Sequence, residues 1–539
     1  MNLPVYFFQI PRAARNDKLV SFAYHRTLQP HFYSLLHMNI TFTATVGCLL
    51  LGLTLSAPHT ATAQKKSRQN TTKAPKAEAV IREADIKRDL YVLADDKYRG
   101  REGGTLDELR ASAWIAEQIR AIGLEPAGDD GTYFQFFSLQ RTRLTPASTL
   151  RIGSHQLKPN HDAVIVAPTN ASITAPLVFV GTATPAEVGK VDVKGKVVAL
   201  QISGAPTDGI SYRRYLFAKL RDQAAELTKA GAVAVVFVSD DKAQAIYDHW
   251  SHIFERGRYG LPGDANVKVP ADQAPVVWLP TDALSWVRQA GQQFSTELKV
   301  ETFAYPSVNI VAKMPGTDAQ LKNEYVLFST HQDHDGARAP VAGDSIYNGA
   351  DDNATGCAAL LAIMRAFKQQ PARRSALFVY HGAEERGLLG SRYYSANPTV
   401  PQQSIVAVLN AEMMGRNDPD SAALLGSTPP HRNSQDLVDI ALAANQAGPK
   451  FKLDTEWDKA THPEGWYFRS DHLPYARLGI PAVMYTSLLH VDYHTPKDEA
   501  SRIDYPKLTK MTQWMYLTGW QVANRDQRPA REAGFKLER

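Results

Sequence analysis

The chain has 539 residues, 44% of them hydrophobic and 21% charged, an ordinary globular composition at a length that implies more than one domain. The formal charge of +5 is uneven: residues 1–63 carry +3 and residues 64–78 carry +4, so the remainder is −2. The body therefore lacks the basic footprint that nucleic-acid binding requires.

In chain order, Val46 to Leu55 is an apolar run and Ala61-Thr-Ala63 follows it as an A-x-A cleavage signature, so residues 1–63 read as a leader cut before Gln64. The run is short for a bilayer span, which takes about 20 residues. We expect an exported, periplasmic or secreted protein with no stable membrane insertion after cleavage; the alternative is a leader kept as an anchor. A signal-like segment begins afresh at Met38, a second candidate start. Cys48 lies in the leader, so Cys357 is alone in the expected mature chain and no intrachain disulfide is expected. Residues 64–78 are polar without an apolar period and read as a disordered linker.

Residues 79–149 read as the first part of a catalytic domain. Thr105-Leu-Asp-Glu108 has the pattern of a capping box, Leu106, Leu109, Ala113, Ala116 and Ile119 follow at helical spacing, and Gly123 ends the helix. Residues 150–303 change texture. Short β runs at 177–180, 197–201, 232–238 and 274–278 predict an inserted, smaller, β-rich domain with a helix over 216–230. Residues 304–525 alternate strands (325–330, 376–380, 405–409, 482–485) with helices (353–367, 437–444, 508–523), and 526–539 is a C-terminal tail. The predicted fold is an α/β three-layer sandwich with a mostly parallel, mixed central sheet.

Ligands in such sheets bind beyond the carboxyl ends of the strands. His331, Glu384, Glu385 and Glu412 each fall just past a predicted strand end. His331-Gln-Asp333 pairs an imidazole with a carboxylate that can steer it; His334 and Asp335 read as bystanders. In Gly349-Ala-Asp351-Asp352-Asn353, one aspartate ligates and the other faces away, since capping of the following helix explains only one acid. Glu384 and Glu385 repel each other at the end of an apolar strand unless a cation sits there, the plainer reading being an acidic turn paired with Arg386. Tyr493-His494 adds an imidazole and a phenol suited to an oxyanion. The set fits divalent ions and a general base.

These segments resemble the M28 family of zinc exopeptidases. The resemblance rests on H-Q-D, G-A-D-D-N-A-T-G, G-A-E-E-R-G-L-L-G-S, L-N-A-E-M-M-G, D-Y-H-T-P and Ser470-Asp471-His472, over roughly residues 80–140 and 303–525. Residues 192–198 and 229–234 resemble a protease-associated (PA) domain. The resemblance implies a zinc-exopeptidase fold, peptide substrates and two Zn2+ per chain. The metal ligands would be His331, Asp352, Glu385, Glu412 and His494, with Asp352 bridging. Glu384 would be the general base, Asp333 would orient His331, and Tyr493 would assist the tetrahedral intermediate. Where the aminopeptidase pattern has Asp, this chain has Glu412, one methylene longer. That leaves open, beside an aminopeptidase, a carboxypeptidase or dipeptidase. A one-zinc glutaminyl cyclase-like acyltransferase and a receptor-like homologue without activity are further alternatives.

Overall fold

The computed structural model describes residues 76–206, 211–269 and 273–538. The leader, its cleavage site and most of the 64–78 linker lie outside the described residues. Three residues of that linker, Lys76 to Glu78, belong to the 3-10 turn Lys76–Val80. No helix among the described residues is long and apolar enough to cross a membrane.

A ten-stranded sheet organises the fold. Four parallel strands form its centre: Ala482–Thr486, Ile405–Glu412, Tyr325–His331 and Ser375–His381. Antiparallel pairing flanks this centre on both sides, at Ser421–Leu425 and at Val300–Met314, and the edge strand Lys452–Asp454 pairs parallel again with Ser421–Leu425. Val300–Met314 pairs with Ser375–His381 and, over eleven positions, with Phe134–Leu144.

Alternation along the central strands builds the layers. Val326, Phe328, Ala376, Phe378 and Tyr380 face one core, shared with helices Glu83–Leu93, Leu106–Ile122, Thr355–Gln369, Gln435–Ala447 and Tyr505–Asn524. Leu327, Leu377, Val379 and Val408 face the other, shared with Tyr394 and Tyr475 from helices Leu389–Ala396 and His472–Arg477. The result is a three-layer α/β sandwich.

A second sheet of eight strands lies between residues 149 and 298. Its middle strands Ala171–Phe179, Val197–Gln201, Ala234–Val238 and Val276–Leu279 are parallel neighbours. Two apolar clusters of its own cover its faces, one of them with helices Tyr212–Lys229 and Asp241–Trp250. One short strand from this stretch, Arg258–Gly260, joins the main sheet beside Phe134–Leu144.

The capping box at Thr105 is half formed. Thr105 Oγ1 accepts from the N–H groups of Asp107 and Glu108. The Glu108 carboxylate turns inward instead, accepting from Gly104 N at 2.6 Å and from the Ser307 hydroxyl. Burial and the charge of Asp333 push Glu108 up to about 8, against its hydrogen bonds from Gly104, Ser307 and Ala383.

Candidate metal centre

Three parallel strands stop at one level, and their ends carry the chemistry. His331 is the last residue of its strand and Glu412 the last of the next. Past His381, the chain turns through Gly382 and Ala383 into the 3-10 turn Glu384–Arg386. Asp352 sits in the turn before helix Thr355–Gln369, and His494 comes from the loop after the Ala482–Thr486 strand.

The side chains meet. Asp352 turns one oxygen to each imidazole: Oδ1 lies 3.2 Å from His331 Nε2 and Oδ2 lies 3.1 Å from His494 Nε2. His331 Nε2 also faces Glu412 Oε2 at 3.4 Å and Glu384 Oε2 at 4.0 Å. His494 Nε2 faces Glu385 Oε1 at 3.3 Å. The donors form two groups, His331–Glu384–Glu412 and His334–Asp352–Glu385–His494, with the atoms of each group mutually within 4.8 Å. Asp351 turns away, taking the N–H of Gly415 and approaching His490.

Two readings of the sequence need correction. His334 is no bystander, because its Nδ1 lies 2.8 Å from Glu385 Oε1; nor is Asp335, whose Oδ2 lies 3.2 Å from His494 Nδ1. The carboxylate of Asp333 does not steer His331, since the ring Nδ1 hydrogen-bonds the Asp333 backbone carbonyl at 3.1 Å and its carboxylate is 3.8 Å away. That carboxylate instead accepts the backbone N–H groups of Glu384 and Glu385, at 2.9 and 3.3 Å. Asp333 therefore fixes the turn that presents both glutamates.

Other residues hold the donors in place. Ser470 donates to Glu412 Oε2 at 2.7 Å and Asn353 Nδ2 donates to it at 3.2 Å, so the longer glutamate is held on both sides. Asp498 accepts the N–H groups of Asp351 and Asp352. Arg101, fully buried, donates to the carbonyls of Gln332, Asn348 and Gly349 and so ties two ligand-bearing turns together.

Cations fit this arrangement. Four carboxylates converge in a buried space, and ring atoms His331 Nε2 and His334 Nε2 have no hydrogen-bond partner among the described residues. Buried charges and polar atoms of that kind are costly unless paired or bound to metal. Imidazole nitrogens with carboxylate oxygens are a zinc-type donor set. Two donors each about 2.0–2.1 Å from a tetrahedral zinc ion stand about 3.3 Å apart, close to the separations seen here.

The protein's own charges shift the titrations strongly. Burial pushes Glu384 well above the usual carboxylate range against the pull of His331, and Asp471, Glu412 and Glu385 add to the rise. Burial and the charge of Glu385 oppose ionisation of Asp352, but contacts with His331 and His494 outweigh them and hold it well below that range. Burial lowers His494, but Glu385 and Asp352 raise it to about 9. Tyr493 stacks on His494 at 3.9 Å and accepts from Arg469 Nη2 at 2.9 Å. Burial keeps its phenol protonated.

Imidazoles and carboxylates meeting beyond the carboxyl ends of parallel strands define the class: an α/β protein with a metal-type centre at its sheet edge. Residues 309–518 match the model of Peptidase family M28. It is 24% identical over 188 residues to aminopeptidase YwaD of Bacillus subtilis (strain 168), covering 34% of this chain and 39% of that protein. It is 28% identical over 240 residues to leucine aminopeptidase 1 of Ajellomyces capsulatus (strain H88), covering 40% and 58%. The chain thus spans less than two thirds of these curated relatives. Among solved structures, the zinc aminopeptidase BSAP from Bacillus subtilis superposes with a TM-score of 0.55 at 19% identity, covering 86% of this chain and 99% of that one. An aminopeptidase from Aneurinibacillus sp. strain AM-1 gives 0.54 at 21%, covering 86% and 97%.

Proposed function

We propose that this chain is a zinc-dependent aminopeptidase that uses two ions to release N-terminal residues from peptides. The observation carrying this reading is Asp352, whose two oxygens face the imidazoles of two separate donor groups at 3.2 and 3.1 Å. His331 and Glu412 would hold one ion, Glu385 and His494 the other, with Asp352 between. When bound, such ions supply Lewis acidity, which polarises a scissile carbonyl and acidifies water toward a pKa of about 7.

The protein groups divide the remaining work. Glu384, whose Oε2 lies 4.0 Å from His331 Nε2, would take a proton from the attacking water and return it to the leaving amine. Asp333 holds the Glu384 backbone so that its carboxylate points inward. Tyr493, whose hydroxyl accepts from Arg469, would donate to an oxyanion. Similarity to relatives named as aminopeptidases supports the choice within the family. We further propose that the second sheet is a PA-like insertion and that the protein is exported after cleavage of its leader.

The test compares free-amine and N-blocked peptides, with and without chelator. Activity confined to free-amine substrates and lost on chelation is the expected result; cleavage of N-blocked peptides from the carboxyl end would replace the aminopeptidase by a carboxypeptidase. Glu384→Gln is expected to keep its zinc by elemental analysis and lose at least about a hundredfold in turnover. Wild-type turnover in that variant removes Glu384 from the mechanism.

A further inference from the structure

A cleft of about 370 Å³ opens beside Glu385 and His494. Part of its lining is apolar, with Val166, Pro168 and Phe254. Four arginines, Arg256, Arg258, Arg338 and Arg386, also line it. Three of these guanidiniums share a single carboxylate. Arg256 Nη1 lies 2.9 Å and Arg386 Nη1 3.2 Å from Asp335 Oδ1, and Arg338 pairs with the same group. Glu102 adds one further partner, 3.2 Å from Arg386 Nη2.

Arg258 differs from these three. Burial alone shifts its titration, and among the described residues no carboxylate pairs with it. Among the described residues, the carboxylates paired with these guanidiniums are Asp335 and Glu102. A half-buried guanidinium with no paired carboxylate among the described residues, beside three that share Asp335, is electrostatically incomplete. Its planar fork matches a carboxylate.

We propose that this cleft takes a carboxylate of the substrate, with Arg258 as its specificity-determining partner. The inference rests on the peptidase reading above and names the chemistry of what that site accepts. Two sources supply such a group: the side chain of an N-terminal Glu or Asp, or the α-carboxylate at the end of a short peptide. Either would be drawn to the charge and held against Val166 and Phe254 by its carbon chain.

The metal-loaded full chain is assayed on two substrate pairs. Glu-Ala-Ala-amide against Gln-Ala-Ala-amide reports the side chain; Gln-Ala with a free C-terminus against Gln-Ala-amide reports the α-carboxylate. In at least one pair the carboxylate is expected to raise kcat/KM about tenfold, corresponding to one well-placed charge pair. Arg258→Gln is expected to bring that ratio close to one, and Arg258→Lys to keep part of it. Equal rates within both pairs, or a ratio that survives Arg258→Gln, overturn the proposal.

A binding measurement separates this from a failure of the peptidase reading. Calorimetry with glutarate and glutaramate, on the same metal-loaded protein, reads the cleft without turnover. Tighter binding of glutarate by the wild type, reduced about tenfold by Arg258→Gln, supports the cleft even if no peptide is cleaved. Indistinguishable glutarate affinity in wild type and variant rejects it even if peptides are cleaved.

Discussion

Glu412 shows how far a donor depends on its neighbours. Its Oε2 is held by Ser470 and Asn353, and Asn410 in turn donates to Ser470. Groups that hold a ligand in this way typically contribute ten- to hundredfold in metal affinity. Ser470→Ala is therefore expected to weaken zinc retention about tenfold, with little change in fold, as read by competition with a graded chelator. Unchanged retention would mean that Asn353 alone seats the glutamate. His331, Glu385 and Glu412 were legible because each falls just past an apolar strand run, and a carboxylate or imidazole at that place has little reason to be there without a cation. Their supports were not. Arg101 reaches the Gln332 carbonyl across 231 positions, and Asp498 reaches Asp351 across 147. No local pattern marks such residues. His334 and Asp335 were hidden differently, since crowding beside a ligand carries no information about direction.

At the scale of elements, period and composition located the strands well. Val197–Gln201 falls where its β run predicts, and Tyr325–His331 exceeds its prediction by one residue. The edges drift where tertiary contacts take over. Helix 353–367 was predicted to begin at Asn353 but begins at Thr355, because Asp352 and Asn353 hold non-helical backbone angles in the metal-site turn. Asn353 Nδ2 donates to the Ala411 carbonyl and its Oδ1 accepts from Gly356 N, so this residue joins the turn to the neighbouring strand and to the helix. The last helix, Tyr505–Asn524, packs onto the sheet at Gly519, where an added Cβ would stand 2.1 Å from the Phe328 ring. Neither partner yields easily, because Phe328 is itself stacked on Phe378 at 5.2 Å and wedged against Phe367. Gly519→Ala is therefore expected to cost about 1–3 kcal/mol by overpacking, despite the better helix propensity of alanine. Denaturant unfolding of the two proteins measures it; a more stable variant would show that the helix can shift away from the sheet.

For the whole molecule, the metal centre couples folding to pH. With protein charges alone, several buried acids bind protons more tightly than they would in an unfolded chain. Burial chiefly drives this, raising Asp333 to about 6, Asp471 to about 7 and Glu108 to about 8, with Glu384 and Glu412 also raised. His331 and His494 bind protons more tightly for the opposite reason, their carboxylate neighbours outweighing burial, and His494 reaches about 9. His381 and His472, which burial lowers to about 3, oppose this below their ordinary value of 6.5, but the raised acids outnumber them, so between about pH 5 and pH 8 the folded, metal-free chain holds more protons than the unfolded one and its stability falls as pH rises. The depressed acids, Asp352 and Glu385, add no slope in that window, because both states are ionised there for these groups. Bound zinc would reverse the trend: its ligands must be deprotonated, so binding would strengthen with pH, and a ligand at a hundredfold its Kd adds about 2.7 kcal/mol to the folded state. Thermal unfolding of zinc-loaded and chelator-treated protein at pH 5.5 and pH 8 reads both effects. The metal-free midpoint is expected to drop between the two pH values, and the gap between the two forms to widen. A gap that is constant or narrows with rising pH would mean that the converging carboxylates and imidazoles are held by the fold rather than by cations.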